Sequence, residues 1–143
     1  MDWSVDRMGR TSLLDIQKGI YDKLTGDTTL TNLVTGIFDE VPKDQGFPFV
    51  NIGEATENKF NTFDRQGRDV TETINIYSQY DGFKEALDIL DRIVILLDFQ
   101  PITLTQNDLV YIRYDGGNTL LLTEDEGRTK HIRARFEVLV QES

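Results

Sequence analysis

The C-terminal stretch alternates apolar and polar side chains more regularly than any other segment of the chain. Its apolar residues fall on every second position: Ile132, Ala134, Phe136, Val138 and Val140. Arg133, Arg135, Glu137 and Gln141 lie between or beside them. Because successive side chains of a strand point to opposite faces, this pattern predicts a strand with one buried face. The chain must therefore build a sheet that is covered on one side, while the other side is solvated or lies at an interface.

Two predicted helices supply the cover for that sheet. The first has apolar residues at helical spacing: Leu13, Ile16, Ile20 and Leu24. Ser12 is its predicted N-cap and Asp15 places a carboxylate in its first turn. The second runs from Phe83 to Leu97 with a main stripe of Phe83, Ala86, Leu87, Leu90, Val94 and Leu97. Ile89, Ile93 and Leu96 widen this stripe, so the second helix is buried on two sides, against the core or against another subunit.

Shorter segments predict the remaining strands, at residues 37–42, 47–53, 70–80, 102–104, 109–114 and 119–122. Asp115-Gly116-Gly117-Asn118 has the composition of a hairpin turn between the last two of these. Residues 54–69 are polar apart from Phe60 and Phe63 and predict a long loop, a feature that is usually functional or disordered. The predicted fold class is α+β, with a mostly antiparallel β-sheet and two main α-helices packed on one face.

The length of 143 residues suits one domain. We expect residues 1–11 to form a flexible N-terminal arm, which is either a frayed end or a segment that orders on a neighbouring subunit. Residues 12–143 form the single domain. The chain has no cysteine, and its longest apolar run is too short to span a bilayer, so we expect a protein that is soluble in the cytoplasm at synthesis and has no membrane partner.

Candidate catalytic and ligand-binding groups are few, and the sequence predicts neither an enzyme nor a cofactor or metal site. His131 is the single histidine, a residue expected at a surface or strand end, and no nucleophile motif accompanies it. The acidic tip Glu124-Asp125-Glu126 matches no calcium loop and is expected to be a solvated turn. Arg133 and Arg135 share the polar face of the last strand, as a charged outer face or as a salt-bridging strip at a subunit boundary. A small hydrolase that uses carboxylates and a regulatory binding module are the alternatives from other functional classes.

The formal net charge is −10, from 25 acidic and 15 basic residues. An acidic surface repels phosphate backbones, so nucleic-acid binding is disfavoured as the main activity. The charge either serves solubility alone or forms an acidic wall past which DNA slides without sticking.

Several segments in a fixed order carry a resemblance that spans residues 12–141. They are the helix from Leu13 to Leu24, Leu30–Val34, Gly36–Pro42, Phe47–Gly53, Thr73–Ser78, Gly82–Ala86 and Asp125–His131 before the last strand. In this order and spacing the chain resembles the tail terminator family of siphophages, whose members are also called tail completion or tail-to-head joining proteins.

The resemblance implies a structural protein that forms a ring, usually a hexamer, on the last ring of the tail tube. Such a ring stops tube polymerisation and offers the docking surface for the head. The implied partners are further copies of the chain, the major tail tube protein and a head-completion or connector protein, and DNA passes through the lumen without specific binding. The implied location is the head-proximal end of the virion tail. A head-completion or connector protein on the capsid side of the joint is the alternative.

A ring of identical subunits needs two different contact patches on each subunit. The sequence offers Ile89, Ile93 and Leu96, with the strip of Arg133 and Arg135, as subunit-interface candidates. The predicted loop offers a contact for the tube or another partner through Lys59, Phe60, Phe63 and Arg65.

Overall fold

The protein, seen in a computed structural model that describes residues 11–61, 65–122 and 128–142, has an α+β fold. A mixed five-stranded sheet is covered on one face by helices. In chain order the elements are α1 (Leu13–Thr25), α2 (Thr28–Leu33), β1 (Ile37–Phe38), β2 (Phe49–Lys59), β3 (Gly67–Ser78), α3 (Lys84–Leu97), β4 (Asn107–Leu121) and β5 (Lys130–Glu142). The predicted fold class is confirmed.

The C-terminal strand lies inside the sheet, as its alternation requires. The strand order is β1-β2-β3-β5-β4, and every neighbouring pair is antiparallel except β1 with β2. The five apolar residues of β5 are at most 1 % exposed, and β5 packs against α3 in a core that α1 residues also join. The prediction of one buried face on this strand is therefore confirmed.

Both predicted main helices form, but the start of α1 differs from the prediction. Ser12 precedes the helix without a side-chain cap; its amide and its hydroxyl both donate to Glu57 Oε2 of β2, at 2.8 and 2.7 Å. Asp15 is 9 % exposed and accepts from the Thr105 amide (2.9 Å), the Gln106 amide (2.9 Å) and Asn107 Nδ2 (3.0 Å). Two polar side chains thus fix α1 to the sheet and to the segment that leads into β4.

The short helix α2 joins the helical layer through its buried Leu30 and through an ion pair with α3. Asp27 is its N-cap and accepts from the Leu30 amide at 2.8 Å. The same carboxylate accepts hydrogen bonds from Arg92 Nε and Nη2 of α3, at 2.9 and 2.8 Å. A two-pronged guanidinium contact of this kind fixes orientation as well as distance.

Three predictions for the sheet are wrong. Residues 115–118 are not a hairpin turn, since β4 is one strand of 15 residues that crosses them with a β-bulge between Tyr114 and Gly117. Gly116 has φ +105°, a conformation that bulges need as much as turns do. Residues 102–104 form no strand. They pack instead against α1, where a Cβ added to Gly19 would lie 2.9 Å from Thr103 O.

The prediction of a long loop over residues 54–69 is also wrong. β2 continues to Lys59 and β3 begins at Gly67, with Thr56 opposite Thr71 and Asn58 opposite Asp69. The β2 residues from Glu54 to Lys59 are mostly polar and exposed, so the apolar alternation that identifies a half-buried strand is missing.

Replacing Asp15 by Asn should lower the free energy of unfolding by about 1–3 kcal/mol, because buried amide donors lose a charged acceptor. Burial raises the pKa of Asp15, but the hydrogen bonds from Thr105, Asn107 and Gln106 outweigh it and lower the pKa. This part of the stability is therefore present at neutral pH and is lost as pH falls through the folded pKa. Urea unfolding at pH 7 and pH 3 checks this; the exposed Asp22→Asn is the control, and equal losses in both variants would contradict it.

Glu72 places a carboxyl group on the helix-facing side of β3. It is 3 % exposed, and its Oε2 has no hydrogen-bond partner among the described residues. Burial, with a smaller effect of Asp39, raises its pKa to about 8. The folded protein therefore holds a proton on Glu72 at pH values where the unfolded chain has lost it.

Stability should consequently fall as pH rises from about 4.5 to about 8, by up to about 1 kcal/mol per pH unit. Glu72→Gln removes the ionisation and should flatten this decline. Urea unfolding of both proteins at pH 5, 7 and 9 measures it, with exposed Glu54→Gln as the matched control. Parallel stability profiles for the original protein and Glu72→Gln would refute the assignment.

Candidate interaction surfaces

The residues predicted for the contact loop lie at the tip of the β2–β3 hairpin. Lys59 ends β2, and Phe60 follows it with 47 % of its surface exposed. Arg65 lies just before β3 and is held there, since its Nε donates to the Glu142 carbonyl at 3.0 Å and its guanidinium also contacts Asp108. Phe63 lies outside the described residues. The structure therefore brings Lys59 and Phe60 together on the surface, while Arg65 ties the tip to the ends of β4 and β5.

The apolar interface candidates on α3 lie mostly inside the protein. Ile89 and Ile93 are 0 % exposed and belong to the core, so core rather than subunit contact is the correct alternative for these two. They face the sheet because α3 packs against both β3 and β5. Leu96 is partly buried against the same core. The solvent side of α3 instead presents Leu87 and Ile95, which are 41 % and 61 % exposed.

The arginine candidates lie on the face of the sheet that the helices leave uncovered. Arg133 is exposed, and Arg135 is half-buried with Nη1 3.3 Å from Asn118 Oδ1 of β4. Nearby, Glu137 accepts from Arg113 Nε at 2.6 Å and from the Tyr111 hydroxyl at 2.9 Å. The structure thus places Arg133 and Arg135 on a charged sheet face, one strand in from the edge, and their role at a subunit boundary stays a prediction.

The same face carries a polar network at its other end. His131 begins β5 as predicted but is 6 % exposed, stacked on Tyr77 with ring centroids 4.4 Å apart. Its Nε2 lies 2.8 Å from Asn75 Oδ1, and Asn75 Nδ2 donates to Asn51 Oδ1 at 3.2 Å. Burial, helped by the charge of Arg133, lowers the pKa of His131. The histidine therefore belongs to a polar network that joins three strands to one another.

The acidic tip, Glu124, Asp125 and Glu126, lies outside the described residues. Within the described ranges, no three His, Cys, Asp or Glu side chains group in a way that could hold a metal ion. None of the helices in that part of the chain has the length and apolarity to cross a membrane.

The outer edges of the sheet are the surfaces that sequence patterns missed. On one side, β1 covers only Val50 and Asn51 of β2, so the edge from Ala55 to Lys59 has no strand beside it in the described chain. On the other side, β4 is the last strand. The glycines of two bulges were the available signal, because a bulge marks a place where an edge strand changes direction.

Part of the β4 edge is closed by the segment that follows α3. The Phe99 amide donates to the Ile112 carbonyl at 2.6 Å, and Asp98 Oδ1 accepts from the Tyr114 amide at 2.8 Å. Beyond the bulge, Gly117 to Leu121 are exposed, with Leu120 and Leu121 36 % and 55 % exposed. Each side of the sheet thus has a closed part and an open part.

Comparison with known proteins finds one family and related structures. The family model described as tail completion protein gp17 matches residues 18–141. The chain is 25 % identical over 130 residues to tail completion protein gp17 of Bacillus phage SPP1, covering 86 % of this chain and 91 % of that protein. A chain in the virion of a native gene transfer agent particle has TM-score 0.85 at 18 % identity, over 93 % of this chain and 99 % of that one. The bacteriophage SPP1 gp17 protein has TM-score 0.61 at 19 % identity, over 92 % and 93 %. At these identities the two structures show a common fold.

Replacing Arg65 by Ala should loosen the hairpin tip without unfolding the domain. An exposed ion pair contributes at most about 1 kcal/mol, so global stability should change little. Amides of residues 56–60 and 67–70 should exchange hydrogen faster, because the tip loses its contacts with Asp108 and Glu142. Hydrogen exchange read by mass spectrometry measures this, with Lys59→Ala as the control; unchanged exchange in Arg65→Ala would show that the tip does not depend on the contact.

Proposed function

Because the chain belongs to the tail completion protein gp17 family, we propose that it forms a ring, a hexamer by the resemblance stated above, on the end of a phage tail tube. The ring stops polymerisation of the tube and offers the docking surface for the head. It acts by binding alone. Its site in the virion is the head-proximal end of the tail, and it assembles there from protein made in the host cytoplasm.

The observation that carries this proposal is the family match from residue 18 to residue 141. This range contains every strand of the sheet, α2, α3 and most of α1. The matched unit is therefore the whole α+β domain rather than a shared fragment, and the relative from phage SPP1 is covered over 91 % of its length.

The proposed partners are further copies of the chain, the major tail tube protein and a head-completion or connector protein. Lys59 and Phe60 at the hairpin tip are candidate contacts for the tube, since an exposed ring beside a cation suits a transient protein surface. Phe63 stays a sequence-based candidate for the same contact. On α3, Leu87 and Ile95 join Leu96 as the surface candidates for a neighbouring molecule.

DNA passes through the proposed ring without specific binding. The net charge of −10 supports this, because tight binding to a phosphate backbone depends on an excess of lysine and arginine. A passive channel suits a protein whose task is to join two particles rather than to hold the genome.

Deletion of the gene from its phage or prophage tests the role. Induced lysates should contain filled heads without tails, and separate tails of irregular or excessive length, because nothing stops tube growth. Negative-stain electron microscopy of the lysate measures tail length and head attachment, and a plasmid-borne copy of the gene should restore normal virions.

Other outcomes of the deletion decide against the proposal. Tails of normal length beside heads that leak DNA would move the protein to the capsid side of the joint, as a head-completion or connector protein. Normal virions would remove an assembly role altogether.

A further inference from the structure

Two open strand segments lie on opposite sides of the sheet, and resting on the proposed ring, we propose that they join one copy of the chain to the next. Residues Gly117–Leu121 of β4 in one copy pair with Ala55–Lys59 of β2 in its neighbour, and the sheets continue from copy to copy. The partner at each edge is thus a second copy of this chain, held by main-chain hydrogen bonds.

The strand directions allow this pairing. β2 and β5 run one way while β3 and β4 run the other, as the antiparallel pairings require. When copies are placed side by side in one orientation, β4 of one meets β2 of the next antiparallel. Two different edges meet head to tail, which is the contact type that closes identical subunits into a ring.

The free backbone groups of the two segments also match. In an antiparallel sheet, alternate residues of an edge strand turn both N–H and C=O outwards. The Val50 amide, which binds the Gly36 carbonyl outside β2, and the Ile112 carbonyl, which binds Phe99 outside β4, fix that alternation on each edge. Each bulge shifts this alternation by one residue. The backbone N–H and C=O groups that point away from the sheet are therefore those of Ala55, Glu57 and Lys59 on β2, and those of Gly117, Thr119 and Leu121 on β4.

One register fits the geometry of closed barrels. In this register Thr56 of one copy pairs with Leu120 of its neighbour. Within one sheet, Thr56 is aligned with Glu137 of β5 through Thr71, and Leu120 is aligned with His131. These two positions are six residues apart along β5. Neighbouring copies then shift by about 20 Å along the strands, while the four strands of the repeat (β2, β3, β5 and β4) advance about 19 Å sideways. The resulting strand tilt of about 46° lies next to the upper end of the roughly 35–45° of closed barrels.

The closed parts of both edges lie where this register needs no partner. Asp98 and Phe99 cover β4 at Ile112 and Tyr114, which would reach past the end of the neighbour's β2. β1 covers β2 at Val50 and Asn51, which precede Ala55, the residue that pairs with the last residue of the neighbour's β4. The exposed Leu121 would lie opposite Ala55. Residues 117–121 are all uncharged, so none of them repels Glu57 or Lys59 of the neighbour.

The handedness decides which face lies inside. α3 connects the parallel strands β3 and β4 across β5, and such crossovers are right-handed in nearly all proteins. With a right-handed crossover, the C-terminal part of β4 pairs with the C-terminal part of the neighbour's β2, and each copy is shifted along the strands relative to the last. The strands then coil around the ring in the right-handed sense of twisted sheets only if the helices face outwards. Arg113, Arg133 and Arg135 then line the inside with Asp69 and Glu137, so this arrangement does not give the acidic lumen that the net charge alone suggested.

Cysteine cross-linking tests the pairing, and the chain has no cysteine of its own. Residues opposite each other in a non-hydrogen-bonded pair have Cα atoms about 4.5 Å apart, which a disulfide can bridge. Rings on purified tails that carry both Thr56→Cys and Leu120→Cys should oxidise to a ladder of covalent multimers. Mixed rings made from the two single variants should stop at dimers, and each single variant alone should give monomers.

The pair Thr56→Cys with Val110→Cys is the matched control, since Val110 is exposed on the same strand but lies far from the predicted register. Ladders in this control, dimers in a single variant, or only monomers from the Thr56–Leu120 pair in intact rings would each overturn the edge pairing while leaving the ring itself in place. Tails that carry no ring of this protein under microscopy would overturn the proposed function, and the pairing with it.

Discussion

The pairing of β5 with β3 and β4 along its length is the interaction on which the rest of the structure depends. Twelve residues of β3 and a nearly equal stretch of β4 take their register from this strand. Its fully buried side chains, with Phe136 the largest, contribute to the core against which α3 packs. A one-residue slip of β5 would turn those side chains to solvent and bury Arg133 and Arg135 instead. The helices, the hairpin and both sheet edges are therefore positioned by one strand.

How far the sequence predicts the structure depends on whether a segment meets the core. β5, α1 and α3 contact it throughout, so their periodicities identified them correctly. Thr56 and Asn58 of the hairpin are exposed polar residues on which burial imposes no pattern, and their segment was mistaken for a loop. Gly116 was misassigned because positive φ serves turns and bulges alike. Ile89 and Ile93 lacked a second signal, since an apolar helix face is the same in a core and in an interface.

The candidate surfaces were less predictable than the fold for a related reason. Main-chain groups at an edge carry no side-chain signature, so the open parts of β2 and β4 are visible only once strand order is known. Arg65 shows the converse, because its charge suggested a partner whereas its guanidinium is used within the chain. The contacts of such residues within the chain are therefore visible only in the folded structure, as the strand order at the edges is.

Of the three bulges in the described sheet, the two that contain glycine lie at comparable places on the two edges. One lies between Ile52 and Ala55 and the other between Tyr114 and Gly117, in each case where the closed part of an edge gives way to the open part. In the first, a Cβ on Gly53 would lie 2.5 Å from Asn75 Nδ2, and in the second Gly116 needs its positive φ. A bulge bends its strand and increases the local twist. In an assembly joined through these edges, as proposed above, the two bulges would bend the strands next to the places where one copy meets the next, and in this way contribute to the curvature of the whole.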